Sequence, residues 1–232
     1  LDAARKIKDP YPIFNNSIYE PRFTAMIKAV EAMAKVGMAD EALDAARKIG
    51  YADDRSRAMV SLVEALAKVG NADEARQAAN EALDAARKIK DAGNRSEAMI
   101  RIVEPLAKVG KTDEALEAAR KIEGANSRSL ALARVAEVMT KNREAGRAKS
   151  ILDEAERAAQ QVSADADKSA RLADVAKGLA KLHYYKLARE TANLCTSSSD
   201  KLAAYTAILR EYHIEHHPDQ AKLFEKEEQK QN

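Results

Sequence analysis

Three histidines fall within five residues near the end of the chain: His213, His216 and His217, in HIEHH. On a helix, His213 and His217 are one turn apart and could share a metal ion through their imidazole nitrogens. Glu215 is misplaced for the HExxH order, no cysteine stands beside the histidines, and Asp219 is the one nearby carboxylate. The expectation is therefore a solvated helix end, where protonated imidazoles suit the negative pole of the helix dipole, with no metal and no other cofactor. His183, followed by Tyr184 and Tyr185, reads as a turn residue. The lone Cys195 aligns with Ile49 and Ile122 and reads as a packed thiol rather than a nucleophile. No glycine-rich phosphate loop, nucleophile elbow or paired-cysteine motif occurs, so the chain is not expected to be an enzyme.

The remaining charged residues recur in columns. Glu31/Lys35, Glu64/Lys68, Glu104/Lys108 and Glu137/Lys141 are each four apart with the acid first, the favoured order for an ion pair along a helix, worth about 0.2–0.5 kcal/mol each. By themselves they describe a self-neutralised, solvated face. A second column, Arg22, Arg55, Arg95, Arg128, Lys168 and Lys201, stands at successive intervals of 33, 40, 33, 40 and 33 residues. Each is expected to open a helix, where a positive charge opposes the dipole, and Asp53, Asp54 and Asp167 are the expected compensating partners. A stripe that binds an anionic partner is the alternative.

These columns exist because the chain repeats. AMVSLVEALAKVG (58–70) returns as AMIKAVEAMAKVG (25–37) and AMIRIVEPLAKVG (98–110), and EALDAARKI (41–49 and 81–89) returns as EALEAARKI (114–122). Met59, Leu62, Val63, Leu66 and Ala67 share one face of a helix, Gly70 can close it, and Asp73 and Glu74 open a second helix whose buried face is Leu83, Ala86 and Ile89. Such a hairpin has more apolar face than it can cover alone, so neighbouring copies must stack. The alternating interval has a simple cause: ADEARQAANEALDAARKI carries seven residues more than ADEALDAARKI. Seven residues are about two helical turns. The second helices are therefore expected to alternate between short and long while keeping the direction of their buried face. Caps are expected at Asp54, Asn94, Ser127 and Asp167. Pro105 falls inside a first helix, forfeits the bond to Arg101 and should kink it.

The spacing of Gly70 and Ala75, of Gly37 and Ala42, and of Gly110 and Ala115 resembles that of the tetratricopeptide repeat family, over roughly residues 22–215. Leu66 stands where that family usually has Tyr, and Val63 where it prefers a small residue. The resemblance implies a right-handed α-α superhelix (solenoid) of about six helix-turn-helix repeats, with alternating 33- and 40-residue units. It also implies that first helices line a concave groove. The columns Glu31, Lys35, Glu64, Lys68, Glu104, Lys108, Glu137 and Lys141 would then stand in that groove, with Ile27, Val60 and Ile100 as an apolar stripe beside them. A groove of that kind could hold a protein or peptide by apolar anchors and charged edges. The family's carboxylate-binding pattern uses Asn where Glu31, Glu64 and Glu104 stand, so that specificity is not carried over.

Composition agrees. Apolar residues make up 46% of the 232 residues but aromatics only 4%, so Ala, Leu, Val and Met must build the core. A formal net charge of +2 gives no support to nucleic-acid or membrane-surface binding, and no apolar run is long enough to span a bilayer. A single cysteine fits a reducing compartment, so a cytoplasmic setting is expected. In order, residues 1–21 should hold the end of a preceding repeat helix (LDAARKI) and a Pro- and aromatic-rich loop over 8–21, with Pro10, Pro12 and Pro21. The repeats should occupy 22–215, and 216–232 a capping helix, with Leu223 and Phe224 turned inward, and a polar tail. The expected function is a non-enzymatic interaction scaffold. A self-assembling repeat module and a regulatory segment of a larger protein are the alternatives.

Overall fold

The computed structural model describes residues 16–220, with side chains described from Phe23 onward. The expectations for residues 1–15 and 221–232, including Pro10, Pro12, Leu223 and Phe224, lie outside the described residues. Among the described residues the chain is all-helical, with no strand. The helices are α1 (Asn16–Lys35), α2 (Ala39–Arg47), α3 (Ala52–Lys68), α4 (Ala72–Arg87), α5 (Ala92–Lys108) and α6 (Thr112–Arg120). They continue as α7 (Ala125–Lys141), α8 (Ala145–Gln160), α9 (Asp165–Lys181), α10 (Tyr185–Asn193) and α11 (Ser198–His216), followed by a 3₁₀ turn at Pro218–Gln220. The chain divides into two compact units, Leu1–Glu123 and Gly124–Asn232. In the first, α1/α2, α3/α4 and α5/α6 form hairpins; in the second, α7/α8 and α9/α10 do, and α11 packs on α9 and α10.

The alternation read from the sequence is present. The second helices run 9, 16, 9, 16 and 9 residues, from α2 to α10. The four first helices α3, α5, α7 and α9 are all 17 residues long. Met59, Leu66, Met99 and Leu106 are all in the core, with Met59, Leu66 and Leu106 wholly buried. Within each unit the first helices lie side by side, α1 on α3 on α5 and α7 on α9 on α11, whereas α2 barely meets α4. Ala dominates the second helices' buried faces, for example Ala75, Ala78, Ala79, Ala82 and Ala86 in α4, and this lets helices approach closely.

The first helices α1, α3, α5, α7 and α9 end in the same device. Gly37, Gly70 and Gly110 adopt φ of 85°, 86° and 86°, and Arg143 and His183 hold the same place at 64° and 62°. The amide after each bonds back to the carbonyl five residues before it, as in Asn71 N to Leu66 O at 3.0 Å and Tyr184 N to Leu179 O at 3.0 Å. A side chain in the left-handed region costs on the order of 1–2 kcal/mol. Arg143→Gly is therefore expected to raise stability by about 1 kcal/mol, read as a higher urea midpoint. No change would mean that the site carries no strain.

Three local expectations are corrected. The loop over 8–21 is already helical from Asn16 and includes Pro21. Pro21 is only the sixth residue of α1, so it forfeits one bond near the helix start while the apolar stretch beyond it drives the helix. The first helices begin two residues before the expected caps, so Asp54, Asn94, Ser127 and Asp167 lie inside them. Asp91 is the cap of α5, accepting the Asn94 amide at 2.8 Å.

The basic ladder from Arg55 to Lys201, in turn, sits at the fourth helical position, where it does not face the helix's own free amides. The Arg55 guanidinium donates to the Ile49 carbonyl at 2.7 Å, and Arg95 donates to those of Ile89 at 2.8 Å and Lys90 at 3.1 Å. The positive charge complements the negative end of the preceding second helix rather than opposing its own dipole. The expected partner Asp53 instead binds Arg101, at 2.8 Å.

Cys195 is buried, its Sγ 3.5 Å from the Ser169 carbonyl, and burial pushes its thiol above the ordinary range. Among the described residues no helix is long and apolar enough to cross a membrane.

Candidate functional site: a groove between first helices

Among the candidate groove residues of the first unit, Ile27, Val60, Ile100, Glu31 and Glu104 are half-buried, and Glu64, Lys35, Lys68 and Lys108 are exposed. Lys108 pairs with Glu104 at 2.7 Å. Among the described residues Glu31 with Lys35 and Glu64 with Lys68 form no ion pair. Neighbouring first helices are tied across the row by Asp53 and Arg101.

The second unit holds a better-formed depression. Leu130, Ala133, Arg134 and Glu137 of α7 and Asp174, Lys177, Gly178 and Lys181 of α9 line an open groove of about 290 Å³. Glu137, taken from the acidic column, is bound by Lys181 at 2.8 Å and by Lys141 at 3.4 Å. Burial works against its charged form, but Lys181 and Lys141 outweigh it, so the carboxyl titrates below the ordinary glutamate range. The sign follows: this pairing stabilises the fold above the ordinary carboxylate range and is lost as pH falls through the lowered value. Asp174 lies 3.4 Å from Arg171 and 3.7 Å from Lys177. Arg134 differs. Half-buried on the groove wall, it makes no hydrogen bond or ion pair among the described residues.

The repeat explains why. Arg101 occupies the equivalent position in α5 and is held by Asp53 and by Glu97. In α7 the position equivalent to Glu97 is Leu130. That acid is gone and the cation remains, beside the apolar surface of Leu130 and Ala133.

The residues that sequence reading missed are Leu130, Ala133, Arg134, Asp174, Lys177, Gly178 and Lys181. Two of them were within reach. Lys177 and Lys181 stand in α9 where Glu137 and Lys141 stand in α7, so the acidic column changes sign there.

A second depression of about 230 Å³, in the first unit, is lined by Arg47, Arg55, Met59, Glu81, Asp84, Ala85 and Lys88. Its centre is occupied by its own salt bridge: Arg47 donates to Glu81 at 2.8 and 2.6 Å and to Asp44 at 2.8 Å. Arg47 holds Glu81 below the ordinary carboxylate range. These charges satisfy one another across α2 and α4.

At the end of the second unit the histidines are used locally. His213 Nε2 lies 2.9 Å from Gln220 Oε1, and His216 Nδ1 lies 2.7 Å from the Tyr212 carbonyl. Tyr185 donates to Glu215 at 2.6 Å and lies 2.8 Å from His183 Nδ1. Among the described residues no three metal-ligating side chains come together.

Known protein-family models and curated proteins give no match to this chain. Among solved structures, the crystal structure of BtubC (BKLC) from P. vanneervenii is similar at 17% identity and a TM-score of 0.50, over 85% of this chain and 87% of that one. At that identity the likeness concerns the fold: both chains are built on a related stack of helices.

Proposed function

We propose that this chain is a tetratricopeptide-repeat-like, non-enzymatic scaffold that holds a protein or peptide segment in the groove between α7 and α9. It would do so without a cofactor, in a cytoplasmic setting. The observation that carries the reading is the uncommitted Arg134 guanidinium, half-buried beside Leu130 and Ala133 in a depression whose other charges are paired. A partially desolvated cation with its donors unspent is primed for a carboxylate, and the apolar wall beside it suits the side chain that precedes or follows that acid. The volume is at the floor of the range typical of small-molecule sites, about 300–1,000 Å³, and the groove is open, which favours a side chain over an enclosed metabolite.

Selection of peptides from a random display library on the folded protein tests this. The selected peptides should share an acidic residue. Arg134→Ala should weaken them by about tenfold to a hundredfold, the equivalent of losing a charge-assisted hydrogen bond of about 1.5–3 kcal/mol. Lys68→Ala, in the first unit, should leave binding unchanged. Peptides without an acid, or affinity indifferent to Arg134, would overturn the assignment.

A further inference from the structure

The depression of the first unit, about 230 Å³, holds a guanidinium that lacks the acceptor its copies have. Arg55, at the start of α3, is half-buried and donates through Nη1 to the Ile49 carbonyl at 2.7 Å. Among the described residues its side chain makes no other hydrogen bond and no ion pair. Its Nη2 arm is unspent.

Two other hairpins show what that arm does. In α5, Arg95 also places Nη1 on the end of the preceding helix, at the carbonyls of Ile89 and Lys90, and gives Nη2 to the Glu123 carboxylate at 2.6 Å. In α7, Arg128 gives Nη2 to the side-chain oxygen of Gln161 at 3.1 Å. Each acceptor stands just past the second helix of the same hairpin. Counted from that helix end, Gln161 corresponds to Lys88 and Glu123 to Lys90. In the α3/α4 hairpin a lysine therefore occupies both acceptors' places, and like charges stand where opposite ones belong.

The neighbouring acids do not make up the loss. Glu81 spends both carboxylate oxygens on Arg47, and Asp84 pairs with Arg87 at 3.4 Å. Lys88 has no side-chain partner among the described residues, whereas its counterpart Lys121 is paired with Glu117. The charged lining comes to three cations and two acids, so one added carboxylate balances it. Met59 and Ala85 supply the apolar part. The volume lies below the range of about 300–1,000 Å³ typical of small-molecule sites, which suits a single acidic group.

We propose that this depression is a second anion site, which takes one carboxylate between the Arg55 Nη2 arm and the Lys88 ammonium, as Arg95 takes Glu123. An Arg fork with one arm already fixed on a carbonyl holds its other arm ready for a planar carboxylate. The carboxylate belongs either to a small free acid or to a peptide side chain; the recognition is the same. The site lies wholly in the first unit and stands independently of the α7/α9 groove.

Heteronuclear NMR of the full chain, following the Arg55 guanidinium signal, tests the proposal. Acetate should shift that signal saturably, and chloride at the same ionic strength should not. The Arg95 signal, its arm filled by Glu123, should stay still. N-acetyl-glutamate amide is the peptide probe: affinity about tenfold above that of acetate identifies a peptide side chain as the source, and equal affinity a free acid. Lys90→Glu gives Arg55 the acceptor that Arg95 has. It should weaken acetate binding by about tenfold and raise the urea midpoint, so that lost binding cannot be lost folding. Lys88→Gln, which copies Gln161, should weaken binding in the same direction. A shift that does not saturate, one that chloride or Arg95 reproduces, or a Lys90→Glu variant that binds like the parent would overturn the proposal.

Discussion

Leu152→Ala should lower the stability of the second unit by about 2–5 kcal/mol, the cost of deleting a large buried side chain and leaving its space behind. Leu152, in α8, is 1% exposed. Its methyl groups occupy the notch left by Gly178 of α9: a Cβ at Gly178 would lie 2.7 Å from Leu152 Cδ2 and 3.1 Å from Cδ1. Gly178→Ala alone gains about 1 kcal/mol of helix propensity but forces that contact apart, at a cost of about 1–3 kcal/mol, so a net loss is expected. The double variant is the informative one. With Leu152 shortened, the methyl group introduced by Gly178→Ala has room, and the two losses should fall short of additivity by about 0.5–3 kcal/mol. Urea unfolding of the four proteins measures this cycle, and strict additivity would remove the contact as the cause. The first unit shows the same place filled in the opposite way. There the repeat puts Pro105 where Gly178 stands and Ala79 where Leu152 stands, both buried. Bulk on one helix is matched by its absence on the other.

Arg95→Ala should cost about 1.5–3 kcal/mol, because the guanidinium makes charge-assisted bonds that no neighbour can replace. It donates to the carbonyls of Ile89 and Lys90 at the end of α4 and to Glu123 at 2.6 Å, so it fastens the start of α5 to the segments on either side. Arg95→Lys should recover little of the loss, since an ammonium offers a compact charge in place of a planar fork. The checks are the urea midpoint and faster amide exchange at the last turn of α4. A lysine variant as stable as the parent would show that charge alone matters there. Arg55 makes the equivalent bond to Ile49 and should behave alike.

What could be read from the sequence was set by periodicity. Apolar spacing placed the first helices. The seven-residue extension gave α4 and α8 their length over α2, α6 and α10, because seven residues return a helix to nearly the same face. Cys195 was placed in the core by alignment with Ile49 and Ile122, and His183 in a turn by its position. The caps were misplaced because an Asp or Asn is equally at home before a helix or in its first turn, and only the backbone chooses between them.

The residue types and their spacing thus determined the elements, their order and which face each one buries, since these depend on contacts along one helix or between adjacent ones. The tertiary structure alone decided which charges find partners. Arg55 and Arg95 reach the carbonyls of the preceding helix, Asp53 goes to Arg101, and Arg134 is left with none among the described residues. A long side chain can reach several neighbours, and its choice depends on distances between helices that no repeat spells out. The exposure of Leu202 and Leu209 on α11 is of the same kind: their spacing is written in the chain, but that they are left in solvent is a fact of packing.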